Sequence, residues 1–513
     1  MTQFGRVWWS GFDKGVSCRR RLRRAAACQP QRCGLCGLAR KRGSCQLSLA
    51  VSPSSTKPDF NEVSTVAIDP VVETLVDQAL AAQREIENWS EQRIDMLLHA
   101  MADVVAGHAH HLAVATVAET GMGNVRDKTL KNSLASVGVY LELAGQVGLG
   151  EIGFDRDRRV AEIASPVGVI VGLVPATHPV ATFIFKSLIA IKGRNAIVFS
   201  PSRRAQQVSQ EVGWLIQKEL IAHGAPVSLV QWIKTESTRE TTAALMSHRH
   251  VALVLATGGR AMVKAAYRSG TPAIGVGPGN APALISTDAD IRQAARSVVM
   301  SKSFDNGLIC GAENHLVVEG SARARLVDEL IHNGAVLLTE SESARFRDAA
   351  VNPETHRLMS SLAGHDAATL ARLASIERPY DIQLLVIPTE SVDSENYLAA
   401  EKLAPVVSLF TVADMDEGIR VCRALLHIDG TGHTAIIHTG QAGLTQRFTT
   451  AMPVSRVLVN SPATQGLMGL TTGLIPSMTL GCGTWGGTST TNSVSFRDLL
   501  NIKRVAYCTP EHA

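Results

Sequence analysis

Long apolar runs are missing from this 513-residue chain: glycine, charge or histidine interrupts each one before the roughly 18 residues that a membrane-spanning helix needs. No transmembrane helix is expected, and no role in a membrane. Compositional extremes are missing too. With 45% apolar and 19% charged residues, the chain is neither wholly disordered, collagen-like nor a coiled coil. It is too long for one ordinary core, so two or three domains are expected. No internal repeat is visible.

Acid is nearly absent from residues 1–57, where twelve Lys and Arg stand against Asp13 alone, a net of +11. The remaining 456 residues carry 38 basic and 45 acidic side chains, a net of −7. The overall +4 therefore joins two unlike parts, and a nucleic-acid role would rest on the basic segment alone. Nucleic acid is not an expected partner. Cysteine splits the same way, with five of nine in residues 1–57 and Cys310, Cys422, Cys482 and Cys508 elsewhere. Sparse use in the body fits a reducing compartment, and the cytoplasm is the expected location.

Residues 1–57 lack apolar periodicity and end in a Ser, Pro and Thr linker, so they read as a disordered, basic, Cys-rich extension. Cys33 and Cys36 invite a zinc reading, but a second such pair or histidines are missing, and no metal site is expected. The segment also looks like an organelle transit peptide; with no apolar core after its charges it is not a secretory signal. A third reading is a non-native upstream extension, for which a later start needs a non-Met codon, since no Met lies between Met1 and Met96.

From about Phe60 the spacing predicts helices, as over Val71 to Ala82 and Gln92 to Gly107. After residue 160 β-branched runs alternate with helical stretches. Strands are expected at Gly168–Val174, Ala196–Phe199 and Val227–Gln231, with helices at Thr182–Ile191 and Ala205–His223. A second series follows: strand Val251–Leu255, helix Arg260–Ser269, strand Ala283–Ile285 and helix Ala289–Met300. This rhythm predicts an α/β fold with a parallel, doubly wound sheet.

Such a sheet suggests a nucleotide, yet no G-x-G-x-x-G opens a helix. Instead Thr257, Gly258 and Gly259 join a strand to a helix, and their N–H groups would suit a phosphate, although a Gly-Gly here also makes a simple turn. The second candidate is Cys310. It follows the polar turn Asp305–Asn306–Gly307 and precedes Gly311, which leaves room for a substrate around a nucleophilic thiol. Cys482, between Gly481 and Gly483, is its rival.

The run from Ser301 to Cys310 resembles the nucleophile segment of the aldehyde dehydrogenase superfamily. Its likeness is to the CoA-acylating branch, which includes the N-terminal half of bifunctional aldehyde–alcohol dehydrogenases. Phe185 to Ala190, Gly275 to Asn280, Gly432 to Ala435 and Leu480 to Gly487 are further matches, and the resemblance covers about residues 65–505. It implies a Rossmann-like cofactor domain over residues 58–278, with an oligomerisation segment at about 145–162. A catalytic domain over 279–470 and a C-terminal oligomerisation and return segment over 471–513 complete the implied organisation. A homo-oligomer, dimer or tetramer, is the implied assembly. Cys310 would form a thiohemiacetal with an aldehyde and, after hydride transfer, a thioester that passes its acyl group on. The hydrolytic branch activates water with a glutamate 34 residues before the nucleophile. That position is Val276 here, so CoA is the expected acceptor and cosubstrate. Thr257, Gly258 and Gly259 match the cofactor pyrophosphate site, and Glu401 matches the glutamate that holds the nicotinamide ribose.

Two positions depart from the family pattern. The family normally has Asn where this chain has His178; a ring N–H would replace the amide at the oxyanion, and a protonated ring would also draw an anionic substrate. A structural His is the alternative. At Ser200–Pro201–Ser202–Arg203–Arg204, relatives that use NAD commonly read Ser-Pro-His-Pro. Ser200, Arg203 and Arg204 therefore become candidate cofactor ligands, with Arg pairing a 2′-phosphate, and NADP is expected over NAD. The Arg pair otherwise reads as a solvated helix start. His-Pro with Ser-Arg-Arg looks most like the sulfoacetaldehyde dehydrogenases that make sulfoacetyl-CoA. An acylating acetaldehyde or other short-chain aldehyde dehydrogenase is the alternative, as is a non-catalytic scaffold or filament subunit. No segment after Tyr507 matches the iron-dependent alcohol dehydrogenase half, so alcohol is not an expected product.

Overall fold

The computed structural model describes residues 69–509, so the basic extension with Cys33 and Cys36 lies outside the described residues. The first two helices begin where capping chemistry allows. Asp69 accepts from the Val71 N–H at the start of Pro70–Ile86, which has Pro at its first position, and Ser90 accepts from Arg93 N–H at the start of Glu91–Gly107. Their buried stripes, Val72, Leu75, Val76 and Ala79 on one and Ile94, Leu97, Leu98 and Met101 on the other, are the three- and four-residue recurrences legible in the sequence. The first packs on a five-stranded parallel sheet, and the second on the helices Pro179–Lys192 and Gln206–Ala222.

That sheet runs edge to edge as Val230–Trp232, Ala196–Pro201, Val169–Val174, Val251–Ala256 and Ala273–Gly275. The chain winds outward from Val169–Val174 in one direction and then restarts beside it at Val251–Ala256. The carboxyl ends of these two strands therefore open a crevice at the switch point, where open α/β sheets take ligands. One expected strand is shorter. Val227–Leu229 is a 3₁₀ turn, because Pro226 fixes its own φ at −59° and its carbonyl accepts from Leu229 N–H at 3.1 Å; sheet pairing starts only at Val230.

The helix Pro179–Lys192 is buried along its whole length. Phe183 on it stacks on Phe199 with ring centroids 3.9 Å apart and meets Trp232 edge-on. Such ring pairs each add about 1 kcal/mol beyond their buried area. Lys186 Nζ, one turn on, donates at 2.8 Å to the carbonyls of Leu173 and Leu255, bridging the two central strands beneath the crevice.

A seven-stranded parallel sheet follows, ordered Ala335–Leu337, Leu384–Pro388, Val406–Val412, Glu313–Glu319, Ala281–Ile285, Gly432–His438 and Val454–Val459. Its strands are nearly continuous buried runs, as both faces are covered by helices. Leu500–Ala506 returns to pair antiparallel with Val160–Pro166, which pairs with Gly150–Asp155 in a separate three-stranded sheet. Among the described residues no helix is long and apolar enough to cross a membrane.

Candidate active site

The carboxyl ends of the first sheet face the amino ends of the second, and a cavity of about 390 Å³ lies where they meet. From the first sheet come Pro175, Thr177 and His178 after Val169–Val174, and Thr257, Gly258 and Gly259 after Val251–Ala256. Segments entering the second sheet supply Val276, Gly277 and Pro278 ahead of Ala281, Cys310 ahead of Glu313, and Glu401 with Leu403 ahead of Val406.

Cys310 is the thiol that lines this cavity, whereas Cys482 is fully buried and does not. The Cys310 Sγ lies 3.1 Å from Nε2 of His433, whose Nδ1 is 2.9 Å from the Thr434 hydroxyl. Burial, with the nearby charges of Glu401 and Cys482, pushes the thiol up to about 12, and burial, with the Arg456 charge, takes His433 down to about 3. At rest the pair is a neutral thiol donating to a neutral imidazole. In the tautomer in which Nδ1–H donates to the Thr434 hydroxyl, Nε2 is left as acceptor. Sequence reasoning did not single out His433 as a site residue; the signal was the Gly432 to Ala435 match.

His178 reaches the cavity, but not as the cation considered above. Burial and the lysines 131, 128 and 186 hold its ring well below the ordinary imidazole range, so it is neutral. Nδ1 lies 2.8 Å from the Thr177 hydroxyl, and Nε2 has no protein partner. In the tautomer in which Thr177 donates to Nδ1, Nε2 carries the proton and can act as a donor. The positive charge on this wall belongs to Lys131, which sequence reading missed.

A Cβ at Gly259 would meet nothing within 4 Å, and one at Gly258 only Met262 at 3.6 Å. Internal packing leaves both positions open toward the cavity, at the start of the helix Arg260–Arg268. This cradle suits a pyrophosphate. Glu401 Oε1 accepts from Gly279 N–H at 3.0 Å, and burial raises its carboxyl to about 7. Ser200, Arg203 and Arg204 do not line the cavity. The Ser200 hydroxyl pairs with Thr242 at 2.8 Å, Arg203 meets Glu236 at 3.0 Å and the Ser237 carbonyl at 3.1 Å, and Arg204 donates to the Thr120 carbonyl at 3.0 Å.

A switch-point crevice facing a half-buried thiol and a buried imidazole defines a nucleotide-type α/β fold. The chain belongs to the aldehyde dehydrogenase family, whose sequence model matches residues 50–479. The match opens inside the stretch assigned above to the extension. The bifunctional aldehyde-alcohol dehydrogenase AdhE of Escherichia coli is 39% identical over 437 residues, covering 84% of this chain and 49% of that protein. The chain thus spans about half the length of that relative. A sulfoacetaldehyde dehydrogenase of Acholeplasma is 35% identical, covering 85% of this chain and 91% of that protein. The crystal structure of an acetylating aldehyde dehydrogenase from Geobacillus thermoglucosidasius aligns with a TM-score of 0.83 and 39% identity, covering 86% of this chain and 97% of that one.

Gly279 shows how tightly the nucleophile is placed. A Cβ there would lie 1.5 Å from the Cys310 carbonyl oxygen, so Gly279→Ala must displace the segment that carries the thiol. A shift of about 1 Å costs on the order of 10²-fold in rate. The expected result in a turnover assay is a loss of that order in kcat, with cofactor affinity little changed in a fluorescence titration.

Proposed function

We propose that the chain is a CoA-acylating aldehyde dehydrogenase, converting an aldehyde, CoA and NAD(P)⁺ to acyl-CoA and NAD(P)H. The observation that carries this reading is the Cys310–His433 contact in a cavity where Val276 stands in the place of a water-activating acid. His433 Nε2 takes the thiol proton as Sγ adds to the aldehyde carbon, and the oxyanion is met by the Nε2–H of His178 and the Cys310 N–H. NAD(P)⁺, when bound, supplies the hydride acceptor. Thr257, Gly258 and Gly259 would hold its pyrophosphate and Glu401 its ribose. Loss of hydride leaves a thioester on Cys310. Val276 offers no base for water, so the CoA thiolate is the competent nucleophile, and its attack frees Cys310.

Sulfoacetaldehyde is the proposed substrate. Support comes from the Acholeplasma relative. The apolar side chains Leu308, Ile309, Leu467, Met468 and Leu480 on the same cavity favour a second reading, a small neutral aldehyde such as acetaldehyde. An aldehyde panel run with and without CoA, following thioester at its absorbance, decides between them. Acetaldehyde turnover far above sulfoacetaldehyde turnover removes the first.

NADP is the proposed cofactor, and Arg203 carries that proposal because it is exposed and meets Glu236 and the Ser237 carbonyl through Nε, whereas Arg204 commits a terminal amino group to the Thr120 carbonyl. Arg203→Ala is expected to raise KM for NADP about tenfold, the equivalent of about 1.4 kcal/mol, while leaving KM for NAD within twofold. Equal or better efficiency of the unmodified enzyme with NAD contradicts it. A cytoplasmic homo-oligomer, joined through the three-stranded sheet, completes the proposal.

A further inference from the structure

Asp305 is fully buried, and two ammonium groups share one of its carboxylate oxygens. Lys128 Nζ lies 3.1 Å from Oδ2, and Lys131 Nζ pairs with the same atom. Asp305 Oδ1 accepts from Asn124 N–H at 3.1 Å, while the Asp305 N–H donates to Asp127 at 2.8 Å. Asn306 adds a bond from its side-chain amide to the Gly364 carbonyl at 2.8 Å. These contacts surround an unusual backbone. Asp305, Asn306 and Gly307 have φ of +48°, +54° and +75°, three successive left-handed residues of which two carry side chains. Non-glycine residues occupy this region only where their surroundings over-determine them. The turn they form ends three residues before Cys310.

Lys128 does something more. Its ammonium also donates to the Thr177 carbonyl at 2.9 Å, one residue before His178. A single buried side chain therefore ties the loop leaving the first sheet, which carries the oxyanion donor, to the turn entering the second, which carries the nucleophile. Neither loop makes that connection by itself: the His178 ring bonds only to its neighbour Thr177. Gly123 keeps the space for this arrangement, since a Cβ there would lie 2.0 Å from Asp305 Oδ1 and 2.8 Å from Lys128 Cε.

We propose that Lys128 is a positioning residue that sets the distance between His178 and Cys310 by bridging Thr177 to Asp305. This rests on the reading of Cys310 as nucleophile and His178 as oxyanion donor. Without Lys128 the turn keeps Lys131, Asn124, Asp127 and Gly364, whereas the His178 loop keeps the Thr182 N–H on its carbonyl but loses the bond that joins it to this turn. The two reactivities of Cys310 should then separate. Alkylation by iodoacetamide needs only the thiol; addition to an aldehyde needs the oxyanion donor as well.

The experiment compares Lys128→Met with the unmodified enzyme by iodoacetamide inactivation rate, single-turnover NAD(P)H formation and cofactor KM. The expected result is alkylation within about threefold of the unmodified protein, cofactor KM within threefold, and NAD(P)H formation slower by thirtyfold or more. Lys128→Gln, which keeps a donor for Thr177 without the ion pair, is expected to lie between the two and serves if the Met variant fails to fold. Turnover within threefold in both variants overturns the proposal. So does a fall in alkylation equal to the fall in turnover, which marks Lys128 as part of the scaffold. A Cys310→Ala protein that remains active instead removes the underlying reading, so the two failures are distinguishable.

Discussion

Cys310→Ala is expected to abolish thioester formation, with a fall in turnover of about 10⁴-fold or more while the nicotinamide cofactor still binds. On the proposed mechanism the thiol removed forms the covalent bond, and among the described residues no other thiol lines the cavity. Cys482 cannot replace it, being fully buried among Gly277, Gly432 and Gly486. Activity retained in this variant would remove Cys310 from the chemistry. Before cofactor binds, the intact thiol has its own signature. An ordinary thiol ionises near 8.5, whereas this one is held up to about 12, so its alkylation rate should keep climbing with pH through 10 without levelling. The sign follows from burial, which disfavours the thiolate. A cationic nicotinamide ring favours it, so saturating NAD(P)⁺ should speed alkylation at pH 8.

His433→Asn carries the second large effect, a loss of about 10²- to 10⁴-fold in kcat, the range expected when a general base is removed. The unmodified imidazole is held down to about 3 and is therefore unprotonated across the neutral range. Its own titration therefore adds no acid limb between pH 5 and 8. With Asn in its place, proton removal falls to hydroxide, and the logarithm of turnover should rise with unit slope against pH. A variant whose profile and rate match the unmodified enzyme would show that the 3.1 Å contact plays no part in the chemistry.

Part of the cavity lining was legible in the sequence, because local chemistry marks it. Cys310 follows a polar turn, and Thr257 to Gly259 separate a strand from a helix. The doubly wound sheets were legible from alternating runs of β-branched and helical residues. Electrostatics were not. The segment Val125–Ser133 is polar almost throughout and reads as a solvated helix, yet Lys128 and Lys131 lie buried on Asp305, more than 170 positions away. Burial, with those lysines, also keeps the His178 ring neutral, a charge that the sequence left open. Arg204 looked like a free cation beside a strand end; its bond to Thr120 joins residues 84 apart, which no local pattern announces. Pairings of this kind depend on topology, and a single sequence holds no trace of them.

Single-turnover kinetics without CoA test the central claim most directly. The enzyme is mixed with saturating aldehyde and NAD(P)⁺, and NAD(P)H is followed against active-site concentration. The expected result is a burst of about one equivalent that then stalls, with turnover resuming as acyl-CoA when CoA is added. Continuous NAD(P)H formation with release of the free acid, at the same rate with or without CoA, would contradict it.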